Sequence, residues 1–520
     1  MPEIHVMGSG KVISCEHGTN LLKALLQEGF FVENPCNGNG TCGKCGVKVV
    51  SGEHPGIRLA CQVEVTEDLQ VELLGKEKEG KVLTSGYVPG FQKEYTNGYG
   101  VAVDIGTTTA ALDLVRLSDG EVVAQGAMLN AQKQFGQDVL TRITYEYDHP
   151  DTGAADLQAA IVDSLNTEME KLCGQAGICR EEIQKIHVAA NCTMLHMLLG
   201  VDARPIGRAP YRPVFTEAQT RRASEIGLKA GEETILYCLP SVSAYIGADI
   251  VAGAYVCGLQ REQERVLFID IGTNGEIVLA SDGRLLSCSC AAGPALEGMN
   301  ISCGMRAADG AVEDVKITEE GVVLTTIGDT APEGLCGSGI LAAVKELIRT
   351  GLVKKTGVFV KKEDLSPEDY RYPMIRLNGK KREFVLKEKP DLYITQGDVR
   401  QVQLAKGAIL SGFTALLKKA GIEMKDLSRV LIAGQFGAHL PAEFLTGVGI
   451  LPKEVEDRLV YVGNTSKTGA YMTLMSRKAR EEMEALAGTI EYMELAQTEN
   501  YERIFTESMI FPEIKGRRNE

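Results

Sequence analysis

The sequence lacks a long apolar run, an excess of basic charge and any low-complexity tract, and each absence removes a class of function. Its most membrane-like stretch, ILYCLPSVSAYIGADIVAGAYVCGL from Ile235, is interrupted by Pro240 and Asp249. It falls short of the roughly 20 clean apolar residues that span a bilayer. The opening MPEIHVMGSGKV has neither the basic start nor the apolar core of a secretory signal, so a cytoplasmic protein is expected. With 55 basic against 70 acidic residues, a formal charge of -15, the chain repels a phosphate backbone and an anionic lipid surface alike. Neither nucleic acid nor a membrane is an expected partner. No coiled-coil heptad run is present either.

What is there reads as globular and multi-domain. A chain of 520 residues is too long for one ordinary core, and 44% hydrophobic with 24% charged residues is a soluble composition. Fourteen cysteines without a secretory signal favour metal ligands and buried thiols over disulfides. Residues 1–75 form a small β-rich module: IHVM, a Gly-Ser-Gly turn and VISC, then a helix near Thr19 with Leu21, Leu22, Leu25 and Leu26 at helical spacing. Three β-type runs follow, GVKVV, LACQVEV and LQVELLG, which together suggest a β-grasp fold. Residues 76–98, charged and broken by Gly and Pro, read as a linker. From Tyr99 onward strands, glycine turns and amphipathic helices alternate as in an α/β protein.

Within the module, PCNGNGTCGKC at 35–45 places Cys36, Cys42 and Cys45 at C-x5-C-x2-C, with Cys61 following at a distance. A structural zinc site usually takes two C-x2-C pairs on separate knuckles. Three plus one is closer to the plant-type 2Fe-2S pattern, in which one loop wraps most of the cluster. Gly38, Gly40, Gly43 and Gly46 let such a loop turn tightly and aim backbone N–H groups at sulfur. Zinc and a redox dithiol remain the alternatives. Cys288, Cys290, Cys303 and Cys336 lack C-x2-C spacing and are read as core thiols.

Two further segments echo one another, VAVDIGTTTAALDL at 101–114 and LFIDIGTNGEIVLA at 267–280, their aspartates 166 positions apart. Each is an apolar strand ending in Asp-Ile-Gly-Thr and followed at once by a second strand, which suggests two related halves. Such a turn offers N–H groups and threonine hydroxyls to phosphate oxygens, with a carboxylate for Mg2+ or its waters. Two of them facing one another would grip a nucleotide's β- and γ-phosphates. VLIAGQFGAHL at 430–440 adds a buried strand running into a glycine turn. The helix before it has Val402, Ala405, Ile409, Phe413, Leu416 and Leu417 on one face. GNTSKTGAYM at 463–472 repeats the theme of glycine before a helix.

These pieces resemble the phosphate-1, phosphate-2, adenosine and second connecting motifs of the ASKHA (actin, sugar kinase, heat-shock chaperone) superfamily. The resemblance implies an α/β multi-domain chain, a β-grasp 2Fe-2S ferredoxin module plus two ribonuclease-H-like subdomains closing over Mg-ATP. The ATPase region would be 99–520, divided into about 99–265 and 266–520, with the C-terminal part returning to the first subdomain. It implies that Asp104, Gly106, Thr107, Thr108 and Thr109 form the first phosphate loop and Gly272, Thr273 and Asn274, with Asp270, the second. Gly434 would lie against adenosine, and Asp104 and Asp270 would position Mg2+ and the hydrolytic water.

The whole chain resembles the reductive activators of corrinoid-dependent methyltransferases, through CNGNGTCGKCGVKVVSGE, NAQKQFGQDVLTRI, ANCTMLHMLLG, GLCGSGI and ITQGDVRQVQLAKGAI besides the motifs above. The implied task is ATP-dependent one-electron reduction of an inactive Co(II) corrinoid to Co(I) on a partner protein, from the cluster held by Cys36, Cys42, Cys45 and Cys61. An upstream low-potential donor is also implied. Plant-type clusters lie near about -400 mV, and a further uphill gap of ~200 mV costs roughly 4.6 kcal/mol for one electron, which ATP would offset. Glu276, His196 and His439 are assigned no role. Without a cysteine-rich C-terminal tail, the resemblance is to members with the N-terminal cluster alone. A linker of about twenty residues before the first ATPase motif leaves no room for an extra middle domain, which weakens the case for a homodimer built through one. The competing readings are an ATP-driven activator of another low-potential enzyme and a redox-sensing, nucleotide-dependent binding protein.

Overall fold

The computed structural model describes residues 1–28, 30, 32, 45–52, 55–73, 89–136, 138–298, 300–305, 307–379, 381–434 and 440–513. They divide into two compact units: Met1–Leu259 with Leu431–Ala433 and Val460–Gly488, and Gln260–Val430 with Gly434–Leu459 and Thr489–Glu520.

The first unit opens with β1 (Glu3–Val6), β2 (Lys11–Ser14), a short β3 (Thr19–Asn20) and α1 (Leu21–Gln27). Then come β4 (Gly46–Ser51), β5 (Gly56–Leu59), a short β6 (Glu64–Val65) and β7 (Leu69–Leu73). The sheet runs β2-β1-β7-β4-β5, with β1 parallel to β7 and the other neighbours antiparallel. Period-two alternation buries Val47, Val49, Leu69 and Val71. Leu21 and Leu25, one turn apart on α1, join them in one core with Ile4 and Val6. Asn20 caps the helix by accepting from the Lys23 N–H at 3.3 Å, while Thr19 donates instead to the Glu16 carbonyl. This is the β-grasp arrangement read from the sequence.

Of the expected linker, 76–88 lies outside the described residues. Residues 89–98 have no helix or strand before β8, yet they are tied down. The Glu94 N–H donates to the Met475 carbonyl at 2.7 Å, and Phe91 meets Tyr471 edge-on.

The rest of this unit is built on β8 (Tyr99–Ile105), β9 (Thr109–Arg116) and β10 (Glu121–Leu129), an antiparallel meander. Next come α2 (Val139–Asp148), α3 (Gly153–Ala176), β11 (Ile183–Ala190), α4 (Cys192–Leu198), β12 (Gln219–Arg222), β13 (Ile235–Cys238) and α5 (Ala248–Val256). The sheet order is β10-β9-β8-β11-β13-β12, with β8, β11 and β13 mutually parallel. The apolar stretch from Ile235 thus becomes a strand, a loop and a helix, and among the described residues no helix is long and apolar enough to cross a membrane.

The second unit repeats the meander in β14 (Val266–Ile271), β15 (Gly275–Ser281) and β16 (Arg284–Cys290), with the strand Ile490–Tyr492 parallel to β16. Its helices include α6 (Gly337–Arg349), α7 (Gln396–Ala420) and α8 (Ala442–Val448). The six residues predicted to line one face of α7 are all buried, from 0% to 4% exposed. Thr395 and Asp398 close its N-terminus as a reciprocal capping box, and Gly421 ends it at φ +69°.

After α8 the chain returns to the first unit as α9 (Thr465–Met475) and α10 (Arg477–Ala487). Gly469 of α9 lies so close to α5 that a Cβ there would stand 2.4 Å from the Ala252 Cβ. The Tyr471 hydroxyl donates to the Gly120 carbonyl, and Thr473 meets the buried His187 ring.

Candidate functional site

Cys45 heads β4, and Cys61 sits in the 3-10 turn Ala60–Gln62 that follows β5. Antiparallel pairing of Gly46 with Leu59 brings them together, and the Ala60 N–H donates to the Cys45 carbonyl at 2.8 Å. The Asn20 amide donates to the Cys61 carbonyl, fixing the turn from α1's cap. The two sulfurs are 3.2 Å apart. That is far beyond a disulfide bond of about 2.05 Å. Sulfurs bonded at about 2.3 Å to one tetrahedral metal stand roughly 3.7 Å apart, so this pair is somewhat closer than two ligands of a single ion yet not bonded to each other. Cys36 and Cys42 lie outside the described residues. Among those described, no three His, Cys, Asp or Glu side chains gather into a metal-holding group. Cys288, Cys290 and Cys336 are buried and Cys303 is half-buried.

The first Asp-Ile-Gly-Thr turn joins β8 to β9, and the protein takes up its carbonyls one by one. Asn130 donates through its amide to the Gly106 carbonyl and through its N–H to that of Thr108, both at 3.0 Å. Arg142 Nη2 donates to the Thr107 carbonyl at 2.6 Å, and the Gly106 N–H reaches the Thr109 carbonyl at 2.9 Å. Asn191 donates to the Thr107 hydroxyl at 3.2 Å. The half-buried Gly106–Thr109 turn thus has its carbonyls held from within the protein, which fixes the shape of a strand-turn-strand unit of the kind that receives anions.

Asp104, at the end of β8, accepts from Asn464 Nδ2 and Ser466 Oγ, both at 2.7 Å. Burial pushes its carboxyl up, against these two bonds and the nearby Lys467 charge, which pull it down. Lys467 itself pairs with Asp113 at 2.8 Å. The first residues of α9 therefore hold the carboxylate of a strand far away in sequence.

Arg142 is 0% exposed, and it points into the protein from α2. Besides Thr107 it donates to the Gly136 carbonyl at 2.9 Å, to Gln132 Oε1 at 3.4 Å and to Met194 Sδ at 3.2 Å. Burial pushes its guanidinium down to about 10, opposed only by Asp138 at the helix cap. Glu146, one turn on, is also buried and accepts from the Ala203 N–H at 2.9 Å. Burial, reinforced by the neighbouring Asp202 carboxylate, raises its carboxyl to about 7.

The second turn joins β14 to β15. The Gly272 N–H bonds the Asn274 carbonyl at 2.9 Å, the Thr273 carbonyl accepts from Gly293, and the Thr273 hydroxyl donates to Glu297 at 2.7 Å. Gly434 approaches this turn at φ +92°, where a Cβ would stand 2.7 Å from Asp270 Oδ1 and 2.8 Å from the Ile271 carbonyl. Glycine alone fits there. Register places Glu276 opposite Asp270 across the hairpin. Residues 435–439, including His439, lie outside the described set. His196 is a satisfied core residue, stacked on Phe215 and bonded to the Cys192 carbonyl and the Val214 N–H.

Sequence reasoning placed Asp104, Gly106–Thr109, Asp270, Gly272–Asn274 and Gly434 on such turns but missed Asn130, Arg142, Asn191, Asn464, Ser466 and Glu297. All but Arg142 and Glu297 lie plainly inside segments singled out whole, NAQKQFGQDVLTRI, ANCTMLHMLLG and GNTSKTGAYM, without a role for the individual side chains. Arg142 lies there too, masked by its polar helix.

A ferredoxin-type module followed by duplicated strand-turn-strand units defines an iron–sulfur module joined to an ASKHA-type nucleotide-binding fold. Residues 4–68 match the 2Fe-2S iron-sulfur cluster binding domain, 99–262 the RACo middle region, and 264–519 the C-terminal domain of RACo, the ASKHA domain. The corrinoid activation enzyme RamQ of Eubacterium limosum is 33% identical over 431 residues, 82% of this chain and 72% of that protein. The [Co(II) methylated amine-specific corrinoid protein] reductase of Methanosarcina barkeri is 25% identical over 448 residues, 78% and 76% of the two chains. A solved structure described as a reductive activator for corrinoid, iron-sulfur protein superposes with a TM-score of 0.73 at 29% identity, covering 99% of both chains. The chain belongs to the RACo family of corrinoid reductive activators. The expectation that the linker leaves no room for a middle region is corrected: that region is 99–262, the stretch bearing the first Asp-Ile-Gly-Thr turn.

Proposed function

We propose that this protein is an ATP-dependent reductive activator that restores Co(I) in the corrinoid protein of a methyltransferase system. The observation carrying this reading is that an iron–sulfur module and an ASKHA domain share one chain that matches a reductive activator from end to end. Cys36, Cys42, Cys45 and Cys61 would hold a 2Fe-2S cluster, which supplies one electron to the partner's Co(II). Cys45 and Cys61, brought together by β4 and β5, would supply two of the cluster's four thiolates.

Nucleotide handling falls to the two turns. Gly106, Thr107, Thr108 and Thr109 in the first unit, and Gly272, Thr273 and Asn274 in the second, form the turns that take phosphate oxygens. Asp104 and Asp270 position Mg2+ and the attacking water, and Gly434, packed against the second turn, lies against the adenosine side of ATP. Asn464 and Ser466 hold the Asp104 carboxylate in one orientation before the ligand arrives. ATP shifts the activator's conformation only as far as it binds one state better than another, and that difference offsets the uphill electron transfer. The electron is replenished by a separate low-potential donor.

The test uses anaerobic protein reduced beforehand, a panel of Co(II) corrinoid proteins and Mg-ATP, with corrinoid absorbance followed by stopped flow. At least one corrinoid protein should turn to Co(I) in the presence of ATP. Redox-dependent binding to the panel without any Co(I) would instead favour a sensor.

A further inference from the structure

Arg142 stands out among the buried groups. A fully buried guanidinium is costly unless a charge of opposite sign is near. Here all four side-chain and backbone acceptors are neutral: the carbonyls of Thr107 and Gly136, the Gln132 amide oxygen and the Met194 sulfur. Its hydrogen bonds are satisfied but its charge is not. Among the described residues it makes no ion pair, and the nearest carboxylate acting on it is Asp138, one turn earlier at the cap of α2 and engaged with the Thr141 N–H and hydroxyl. The guanidinium lies directly behind the Gly106–Thr109 turn and grips the carbonyl of its central Thr107, so the missing negative charge is due on the turn's other face.

We infer that Arg142 is a positioning residue for the phosphate chain: it holds the Thr107 carbonyl inward, and its uncompensated charge is balanced by the anionic ligand bound at the first turn. This rests on the reading that the turn takes nucleotide phosphates, and it makes the site selective for polyanions over neutral nucleosides. Asn130 and Asn191, also bonded to the turn, supply geometry without charge.

The distinguishing property is dependence on phosphate number. Binding of ATP, ADP, AMP and adenosine to the full-length protein is measured by calorimetry for wild type, R142K and R142Q. R142Q should weaken ATP by at least about tenfold, ADP by less, and adenosine by no more than about twofold. R142K, which keeps the charge but loses the fork, should recover most of the ATP affinity. An equal loss for all four ligands, or no loss for ATP, overturns the inference while leaving nucleotide binding intact. Wild type that binds none of the four overturns the nucleotide reading and this inference with it. Should R142Q fail to fold, melting of the wild-type protein with inorganic triphosphate and with adenosine decides: triphosphate alone should stabilise it, and stabilisation by adenosine alone contradicts the charge argument.

Discussion

At Asp104 a single carboxylate takes both of its side-chain hydrogen bonds from α9, 360 and 362 positions later in the chain. D104N keeps the shape and removes the charge. ATP hydrolysis should fall by about 10²-fold or more, measured as phosphate release, if the carboxylate orients metal or water. Because burial raises this carboxyl, its ionised form opposes folding, so the neutral variant should be no less stable than wild type at pH 8. Unchanged hydrolysis would remove Asp104 from the chemistry. Glu146 gives a pH prediction. Its folded carboxyl titrates at about 7, above the ordinary carboxylate range. A raised acid favours the fold while protonated, and that contribution is lost as pH climbs through the folded value. In E146Q the side chain cannot ionise, so melting curves should show wild type losing stability relative to the variant from pH 4.5, where the unfolded carboxyl ionises, up to about 7, and running level with it above. Parallel curves across that window would mean Glu146 is ionised throughout.

Among the elements, α9 does most to join distant parts of the first unit. Its N-terminal turn holds Asp104, Tyr471 reaches Gly120, and Gly469 lets its backbone touch α5. G469A should cost about 1–3 kcal/mol in a denaturant melt, since the obstructing Ala252 belongs to a helix and has no flexible end to swing away. It should also slow ATP hydrolysis by displacing Asn464 and Ser466; a melt identical to wild type would show that the helices part freely. These elements differ in how plainly the sequence announces them. The apolar faces of α1 and α7 and both hairpin turns follow from local periodicity and turn chemistry, so Leu21, Leu25, Ile409 and Phe413 were legible. The clasp on Asp104 was not, because it is a tertiary contact whose two halves carry no shared local signal. Arg142 and Glu146 were hidden for another reason. On α2, VLTRITYEYD, polar residues would ordinarily face solvent, but the turn carbonyls and the Ala203 N–H give these two partners inside. The tail of the linker was equally silent, since residues 89–98 are held by tertiary contacts such as the Glu94–Met475 backbone bond, the Arg477 N–H on Glu94 and Phe91 on Tyr471.

For the whole molecule, the acidic balance of -15 makes a polyanionic partner unfavourable, and Lys and Arg clusters are absent from the motifs that define the fold. An electron held on the proposed cluster should reach a corrinoid only when ATP is spent. The most direct measurement is a single turnover: protein reduced anaerobically, freed of reductant, then mixed with a Co(II) corrinoid protein with and without Mg-ATP, for wild type and for C61S. Wild type should yield up to one Co(I) per reduced cluster with ATP and little without it, and C61S, missing the ligand beside Cys45, should yield none. Equal Co(I) formation without ATP, or undiminished formation by C61S, would contradict the account.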